Sequence, residues 1–436
     1  MSRLAILGGK PARTTPFPTW PRHTERDKKR LLEVLESGNW GGFPFPNQLA
    51  REFAERFADA HGARYGCTVV NGTVAIQVAL QAAGIKFGDE VIVPAFTWDG
   101  TAVAVLHAGG VPVFADVDPD TYCLDVDAAR RAITPRTKAI LPVHLAMRFA
   151  AMDCMKELAK QHGLAVVEDC AHAHGGRFLG RGAGSYGDLG AFSFQTSKLM
   201  TAGEGGIVIT SRLDCHEMTQ SLVNCGRASE SDEFGKRPVG GNYRITEFQA
   251  AVLLGQLEQL EELTERRQRG AALMTSLLSG IGGVRALPAQ AGLTREAIYH
   301  YVFQYRPPDR GVSRDLFAAA LEAEGIPCDG RFYEPVYRSD LFQANAADFP
   351  QLRYLREEEI DYRRVSCTVS ERAAYEESVW LPHFLLLGDE EDVRQVAEAV
   401  EKVMKHRHEL AASDEELAGV KSMSRSERPR LEKKNY

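Results

Sequence analysis

Lys198 follows an apolar run at 189–194 and precedes Gly203-Glu204-Gly205-Gly206, where a second apolar run, 206–210, begins. Short apolar runs bounded by turn residues read as buried strands. A lysine held in the turn between two such strands keeps its amine at a fixed place, where it can form a Schiff base with a carbonyl. Asp169 ends a third run, Leu164-Ala165-Val166-Val167-Glu168-Asp169. A carboxylate at the C-terminal end of a strand stands where open α/β sheets bind ligands. It can keep a basic ring nitrogen protonated, or it can cap the turn that follows. Val69-Val70-Asn71-Gly72-Thr73 leads into a helical stretch at 73–83. Gly72 lets backbone approach a ligand, and the helix start offers unpaired N–H groups to a phosphate, with the Thr73 hydroxyl beside them. The same tripeptide also makes an ordinary turn and N-cap. Ser193 offers a hydroxyl to the same anion or to the sheet interior. Trp98, in Pro94-Ala95-Phe96-Thr97-Trp98, offers a flat indole to a ligand ring or to the core.

An amine, a carboxylate for a pyridine nitrogen, a phosphate cradle and a flat stacking face are together what pyridoxal 5'-phosphate (PLP) requires of a protein. The blocks also fall in a familiar order. Asn71-Gly72-Thr73 is followed by Gly88-Asp89-Glu90-Val91-Ile92-Val93-Pro94, then Glu168-Asp169-Cys170-Ala171-His172-Ala173-His174-Gly175, Phe192-Ser193-Phe194, Lys198 and Gly203-Glu204-Gly205-Gly206. Last comes Gly241-Asn242-Tyr243-Arg244-Ile245-Thr246-Glu247-Phe248-Gln249. Over about residues 5 to 405 the chain resembles the DegT–StrS family of PLP-dependent sugar aminotransferases.

The resemblance implies the α/β architecture of fold type I, with a mostly parallel central sheet in a large domain and a smaller α+β domain. It implies that Lys198 holds the cofactor and moves protons, that Asp169 pairs with the ring nitrogen, and that His172 lies beside the ring. Gly72, Thr73 and Ser193 would hold the phosphate, and Trp98 would stack. Asn242 would reach the phosphate of the neighbouring subunit's cofactor, which makes the protein a homodimer with shared active sites. Phe194-Gln195-Thr196-Ser197-Lys198 resembles the branch acting on inosose-type cyclitols with L-glutamine as amino donor. Nucleotide-sugar enzymes of the family usually carry a histidine just before the lysine. An aminotransferase acting on scyllo-inosose or a related ketone is therefore expected. The alternatives are a nucleotide-linked ketosugar enzyme using L-glutamate, and a cofactor-binding regulatory homologue without turnover. One departure stands out: Ala146-Met147 occupy the place where relatives commonly have Tyr-Gly, and a changed substrate pocket is expected there. His144, just before, could touch substrate or end its strand.

The remaining residues bound this picture. The 436 residues are 44% hydrophobic, enough for one large and one smaller core. Net charge is −7 and no basic patch dominates, so neither nucleic acid nor an anionic membrane is an expected partner. With no signal-peptide pattern or long apolar span, a cytoplasmic location is expected. Eight cysteines form no Cys-x-x-Cys pair, so no metal site is expected, and Cys170 reads as packing. Strands read at 91–93, 111–117, 139–143 and 164–169 alternate with helices at 73–83, 101–107 and 151–161, the pattern of a parallel sheet covered on both faces. A helix at 247–269, a break at 280–283, a strand at 300–305 and helices at 313–325 and 391–405 complete the reading. The expected domains are 1–45 (packing on the small domain or the site mouth), 46–270, 271–410, and a disordered tail at 411–436. Arg331, after the turn at Asp329-Gly330, reads as a solvated surface charge or an anion binder.

Overall fold

A computed structural model describes residues 3–227, 238–308, 311–342 and 347–412. Most of the expected tail therefore lies outside the described residues. Seven strands form the central sheet: β1 (Tyr65–Val69), β2 (Glu90–Pro94), β3 (Val111–Ala115), β4 (Thr137–Ile140), β5 (Ala165–Asp169), β8 (Leu189–Ser193) and β9 (Gly206–Thr210). Two short strands, β6 (Arg177–Phe178) and β7 (Arg181–Gly182), pair instead with β11 (Leu293–Arg295). The central order is β1-β9-β8-β5-β4-β2-β3, parallel except for β9, which runs antiparallel to both neighbours. β2, β8 and β9 are buried along their whole length. This explains why they read as continuous apolar runs with no alternation.

Helices cover both faces: α2 (Gln48–His61), α3 (Gly72–Ala82), α4 (Asp99–His107), α5 (Val126–Arg131), α6 (Met152–His162) and α7 (Leu213–Val223), with α1 (Glu25–Ser37) ahead of them. Asn71 caps α3 through its side chain, which accepts from the Val74 amide at 2.9 Å. The N-cap reading of Asn-Gly-Thr thus holds, and it leaves Gly72 and Thr73 at the helix start. α8 (Glu247–Leu278) opens on a capping box between Thr246 and Gln249. It runs beyond the expected stop at 269 and through the expected domain boundary at 270/271. Its early residues Leu254 and Leu260 pack in the core of the large sheet, whereas Ala271, Met274 and Leu278 pack in a second core.

That second core lies under an antiparallel sheet of β10 (Val284–Ala286), β12 (His300–Tyr305) and β13 (Ser378–Pro382). α9 (Arg314–Ala323, capped by Ser313) and α11 (Glu390–Lys405) contribute to it, with the short helices α10 (Thr368–Arg372) and α12 (Arg407–Ala412) nearby in sequence. Residues 411–412 of the expected tail are helical, as the end of α12. Trp20, from the N-terminal segment, packs with Leu263 and Leu387 beside His383, and α1 ties to α8 through Arg30 and Glu258. Arg331 is not simply solvated: it pairs with Asp315 at 3.0 Å. Among the described residues, no helix is long and apolar enough to cross a membrane.

Glu168, at 0% exposure, is the main polar anchor of the large sheet. Its carboxylate accepts from the amides of Gly184, Tyr186 and Gly187 at 3.0, 2.8 and 2.6 Å and from His144 Nε2 at 2.9 Å. His144 Nδ1 accepts from the Ala150 amide, so its proton belongs on Nε2. His144 is therefore committed to the scaffold. Cys170 Sγ lies within reach of these two groups, but its thiol turns to the Glu168 carbonyl, and every carboxylate oxygen already has donors. Glu168→Ala leaves three buried amides and an imidazole without their acceptor. It is expected to lower unfolding free energy by about 3–5 kcal/mol, read from urea denaturation.

Candidate active site

The C-terminal ends of β5 and β8 and the start of α3 open on one cavity of about 660 Å³. Gly72, Thr73, Trp98, Asp169, His172, Ser193 and Lys198 all line it. Asn242 does not: it is exposed and bridges to Asn224.

Asp169 takes the turn-capping part of its reading and also lines the cavity. Its Oδ1 accepts from the Ala171 amide at 3.1 Å and so holds the turn after β5, while Oδ2 accepts from Thr101 Oγ1 at 2.8 Å. Burial raises its carboxyl above the usual range, opposed by those two hydrogen bonds and by the charge of Lys198. A cationic ring nitrogen in the cavity would bring it down again, as an opposite charge does. At Gly72 a Cβ would lie 2.5 Å from Ser193 Cβ, so only glycine lets the helix start approach β8 this closely. The Ser193 hydroxyl and the start of α3 thus face one concavity suited to a phosphate. Trp98 is 62% exposed, which removes the core-packing reading and leaves its indole at the cavity mouth.

Lys198 sits 4.5 Å above the ring of Tyr299. Its turn is tightened by its own amide, which donates to the Gln195 carbonyl, and by Gln195 Oε1, which accepts from Ser197. His172 Nδ1 accepts from the Ala146 amide at 3.2 Å, so the ring proton faces the Tyr333 hydroxyl from Nε2, also at 3.2 Å. Its ring stacks on Tyr299 at 4.0 Å. Burial, then the charge of Lys198, hold His172 neutral, well below the ordinary histidine range. Tyr299, Phe332, Tyr333 and Thr101 line the cavity but carry no motif in the sequence. The only available signal was their adjacency to elements read there: Tyr299 precedes β12, and Tyr333 follows the Asp329-Gly330 turn. Ala146 and Met147 do not line the cavity, so the expected change of pocket at that departure is not where the structure puts them. Met147 packs in the second core, and its sulfur accepts from the Val302 amide.

A mostly parallel sheet with one reversed strand, carrying a lysine, a buried carboxylate and an anion cradle at its strand ends, defines an aminotransferase of fold type I. The chain belongs to the DegT/DnrJ/EryC1/StrS aminotransferase family, whose sequence model matches residues 21–401. It is 47% identical over 409 residues to a Streptoalloteichus tenebrarius protein provisionally named L-glutamine:3-amino-2,3-dideoxy-scyllo-inosose aminotransferase, covering 93% of this chain and 98% of that one. It is 40% identical over 428 residues to the L-glutamine:2-deoxy-scyllo-inosose aminotransferase of Streptomyces kanamyceticus, covering 94% and 99%. Among solved structures, 3-amino-5-hydroxybenzoic acid synthase superposes with a TM-score of 0.81 at 33% identity, covering 91% and 100%. DesI with its TDP-sugar product gives 0.81 at 31%, covering 94% and 99%.

Several histidines around the site are buried and neutral. Burial is the first cause at His61, His172, His174 and His383, and at His61 it lowers the value from 6.5 to about 4. With folded values below the unfolded one, the unfolded chain binds protons first as pH falls. The stability tied to the neutral rings is complete above about pH 6.5 and is lost below it, by up to about 3 kcal/mol for His61 alone. Asp169 works in the opposite sense at lower pH, since the folded chain takes up that proton first. The melting temperature is expected to fall steadily from pH 7 to pH 5. A flat profile across that interval would contradict neutral buried imidazoles.

Proposed function

We propose that this chain is a PLP-dependent aminotransferase that moves the amino group of L-glutamine to a ketone of scyllo-inosose type. The observation that carries the proposal is the meeting of Lys198, Asp169 and the Gly72–Ser193 concavity in one cavity. The names of its relatives support the donor and the acceptor. PLP, when bound, supplies an electron sink for the substrate's α-carbon. The protein supplies the rest. Lys198 would hold the cofactor aldehyde with its amine and would move the proton of the reacting carbon, and that amine stands over the Tyr299 ring. Asp169 would keep the ring nitrogen protonated by opposite charge. His172, held neutral, adds a flat ring without a competing charge. Gly72, Thr73 and Ser193 would take the phosphate, and Trp98 would offer its indole to the ring.

Asn242 is read as serving the partner's site in a homodimer, which agrees with its place outside its own cavity. The eight free thiols, six of them buried, support a reducing, cytoplasmic setting. The similarity to DesI favours a TDP-sugar ketone as the second reading of the acceptor.

The test is the visible spectrum of PLP-loaded protein before and after L-glutamine. Bleaching of the band of lysine-bound PLP by L-glutamine, and its return with a scyllo-inosose-type ketone, is expected. Response to L-glutamate alone would move the acceptor to nucleotide sugars, and a band indifferent to every amino acid would leave a regulatory homologue. Lys198→Ala is expected to abolish the band and lower transamination by about a thousandfold or more. For the shared site, Asn242→Ala subunits mixed with Lys198→Ala subunits distinguish the geometries. If Asn242 serves the partner, the mixed dimer pairs its one intact lysine with an intact asparagine and retains PLP at that site as wild type does. Loss of retention there would place Asn242 in its own subunit's site.

A further inference from the structure

Two buried histidines stand behind the phosphate end of the site. Where β5 and β8 run parallel, the Ala191 carbonyl accepts from the Cys170 amide at 2.8 Å. The evenly spaced bonds of a parallel ladder would next engage the carbonyl two residues on, that of Ser193. By then β5 has ended at Asp169, and the chain has turned, with the Ala173 amide donating back to the Cys170 carbonyl at 2.9 Å. The donor to the Ser193 carbonyl is a side chain instead: His174 Nε2, at 2.9 Å. On its other edge Ser193 pairs with Gly206 of β9. The strand end that carries the Ser193 hydroxyl is thus held by backbone on one side and by an imidazole on the other.

Hydrogen-bond polarity fixes both rings. A carbonyl only accepts, so the neutral His174 ring carries its proton on Nε2. Its Nδ1 lone pair is left in the core with no partner among the described residues. The next residue, Gly175, offers its amide to His61 Nε2 at 3.0 Å. An amide only donates, so His61 carries its proton on Nδ1 and donates it to the Phe57 carbonyl at 2.9 Å. His61 is the last residue of α2, so it ties the turn that carries His174 to a helix of the scaffold.

His61 and His174 are 1% and 0% exposed, and the His174 ring lies among Phe57, Phe192 and Phe194. Leaving one polar atom of a buried ring unpaired is costly, and a leucine or phenylalanine would fill the space without that cost. What an apolar residue could not supply is the donor for the Ser193 carbonyl. The place of that strand end matters because the cradle has no slack. A Cβ at Gly72 would lie 2.5 Å from Ser193 Cβ, so a small movement of Ser193 changes the width of the concavity.

We propose that His174 is a positioning residue for phosphate recognition, with His61 as its support. His61 holds the turn at Gly175, His174 reaches from that turn to the Ser193 carbonyl, and the strand end so held keeps the Ser193 hydroxyl facing the start of α3. Neither histidine lines the cavity. The role rests on the reading of Gly72, Thr73 and Ser193 as the phosphate cradle.

The experiment titrates the apo-protein with PLP and with pyridoxal, which has the same ring and aldehyde but no phosphate, and reads the visible band. The ratio of the two affinities isolates what the phosphate contributes. His174→Leu is expected to lower PLP affinity about tenfold while pyridoxal affinity stays within about threefold of wild type. His174→Gln, whose terminal amide can donate to the carbonyl, is expected to recover most of the ratio. In a Ser193→Ala background, His174→Leu is expected to cost little further PLP affinity, since both act through the same hydroxyl. An unchanged ratio in His174→Leu overturns the role, as does a full further loss in the Ser193→Ala background. So does a loss shared equally by PLP and pyridoxal, or a His174→Gln no better than His174→Leu, since ring packing alone would then account for it. If His174→Leu does not fold, His174→Asn, whose shorter amide ends short of the carbonyl, takes its place in the comparison. A Ser193→Ala protein that keeps the wild-type ratio overturns the phosphate reading of Ser193 and this role with it. One that loses the ratio while His174→Leu keeps it overturns this role alone.

Discussion

The buried carboxylate of Glu168 organises the site by occupying one face of β5. Successive strand residues point to opposite faces. Glu168 faces the core that holds Val166 and Phe149, and Asp169 faces the side covered by α3 and α4, where Thr101 meets it. Glu168 gathers three amides of the 184–187 connection that returns the chain to β8. That connection sets the parallel register in which Asp169 lies opposite Ala191, two residues before Ser193. The carboxylate proposed for the ring nitrogen and the hydroxyl proposed for the phosphate therefore arrive at the same sheet end because their neighbour is tied down behind them. An anchor with four donors on one carboxylate is a strong restraint only because water is excluded.

The cavity is not a property of the large sheet alone. Its remaining wall comes from Tyr299, Phe332 and Tyr333, which the small sheet and the chain after α9 present. α8 makes this possible, since one continuous helix carries apolar residues for both cores. The two parts also share polar contacts: Tyr299 meets Ser197, Tyr333 meets His172, and the Tyr299 amide donates to the Ala146 carbonyl. A lysine over an aromatic ring, beside a histidine kept neutral, keeps the local positive charge to one group.

Much of the large sheet was legible because its strands are buried on both faces and read as unbroken apolar runs. Lys198, Asp169 and Gly72 were legible for a related reason: polar or flexible residues at the ends of such runs stand out. The wall from the small sheet was not legible. Tyr299 and Tyr333 are ordinary aromatics by local pattern, and only long-range pairing of β12 with β13 and the turn at 329–330 bring them to the lysine. The reading of α8 stopped at 269, after Arg267 and just before Gly270. In the structure both are accommodated: Arg267 is buried under Trp20, and Gly270 gives room to Leu386. His144 could not be assigned from sequence, since its partner Glu168 is 24 residues away in the chain and next to it in space.

At the Ala146-Met147 departure the loop meets the site through its backbone. Ala146 has a φ of 57°, a left-handed conformation that a non-glycine residue adopts at a cost of about 1 kcal/mol or more. What the site uses of it is backbone: its amide serves His172 and its carbonyl serves Tyr299. Met147 fills the second core. The side chains at these two positions are therefore free to follow the packing between the two sheets, provided the peptide groups stay in place. Discrimination between a small cyclitol and a nucleotide-linked sugar must then come from groups that reach the cavity, such as Gln195, Ser197, Glu204 and the exposed Trp98 at its mouth. Gln195 already spends its carbonyl oxygen on Ser197, which leaves its amide N–H groups as donors for hydroxyls of a polar ring.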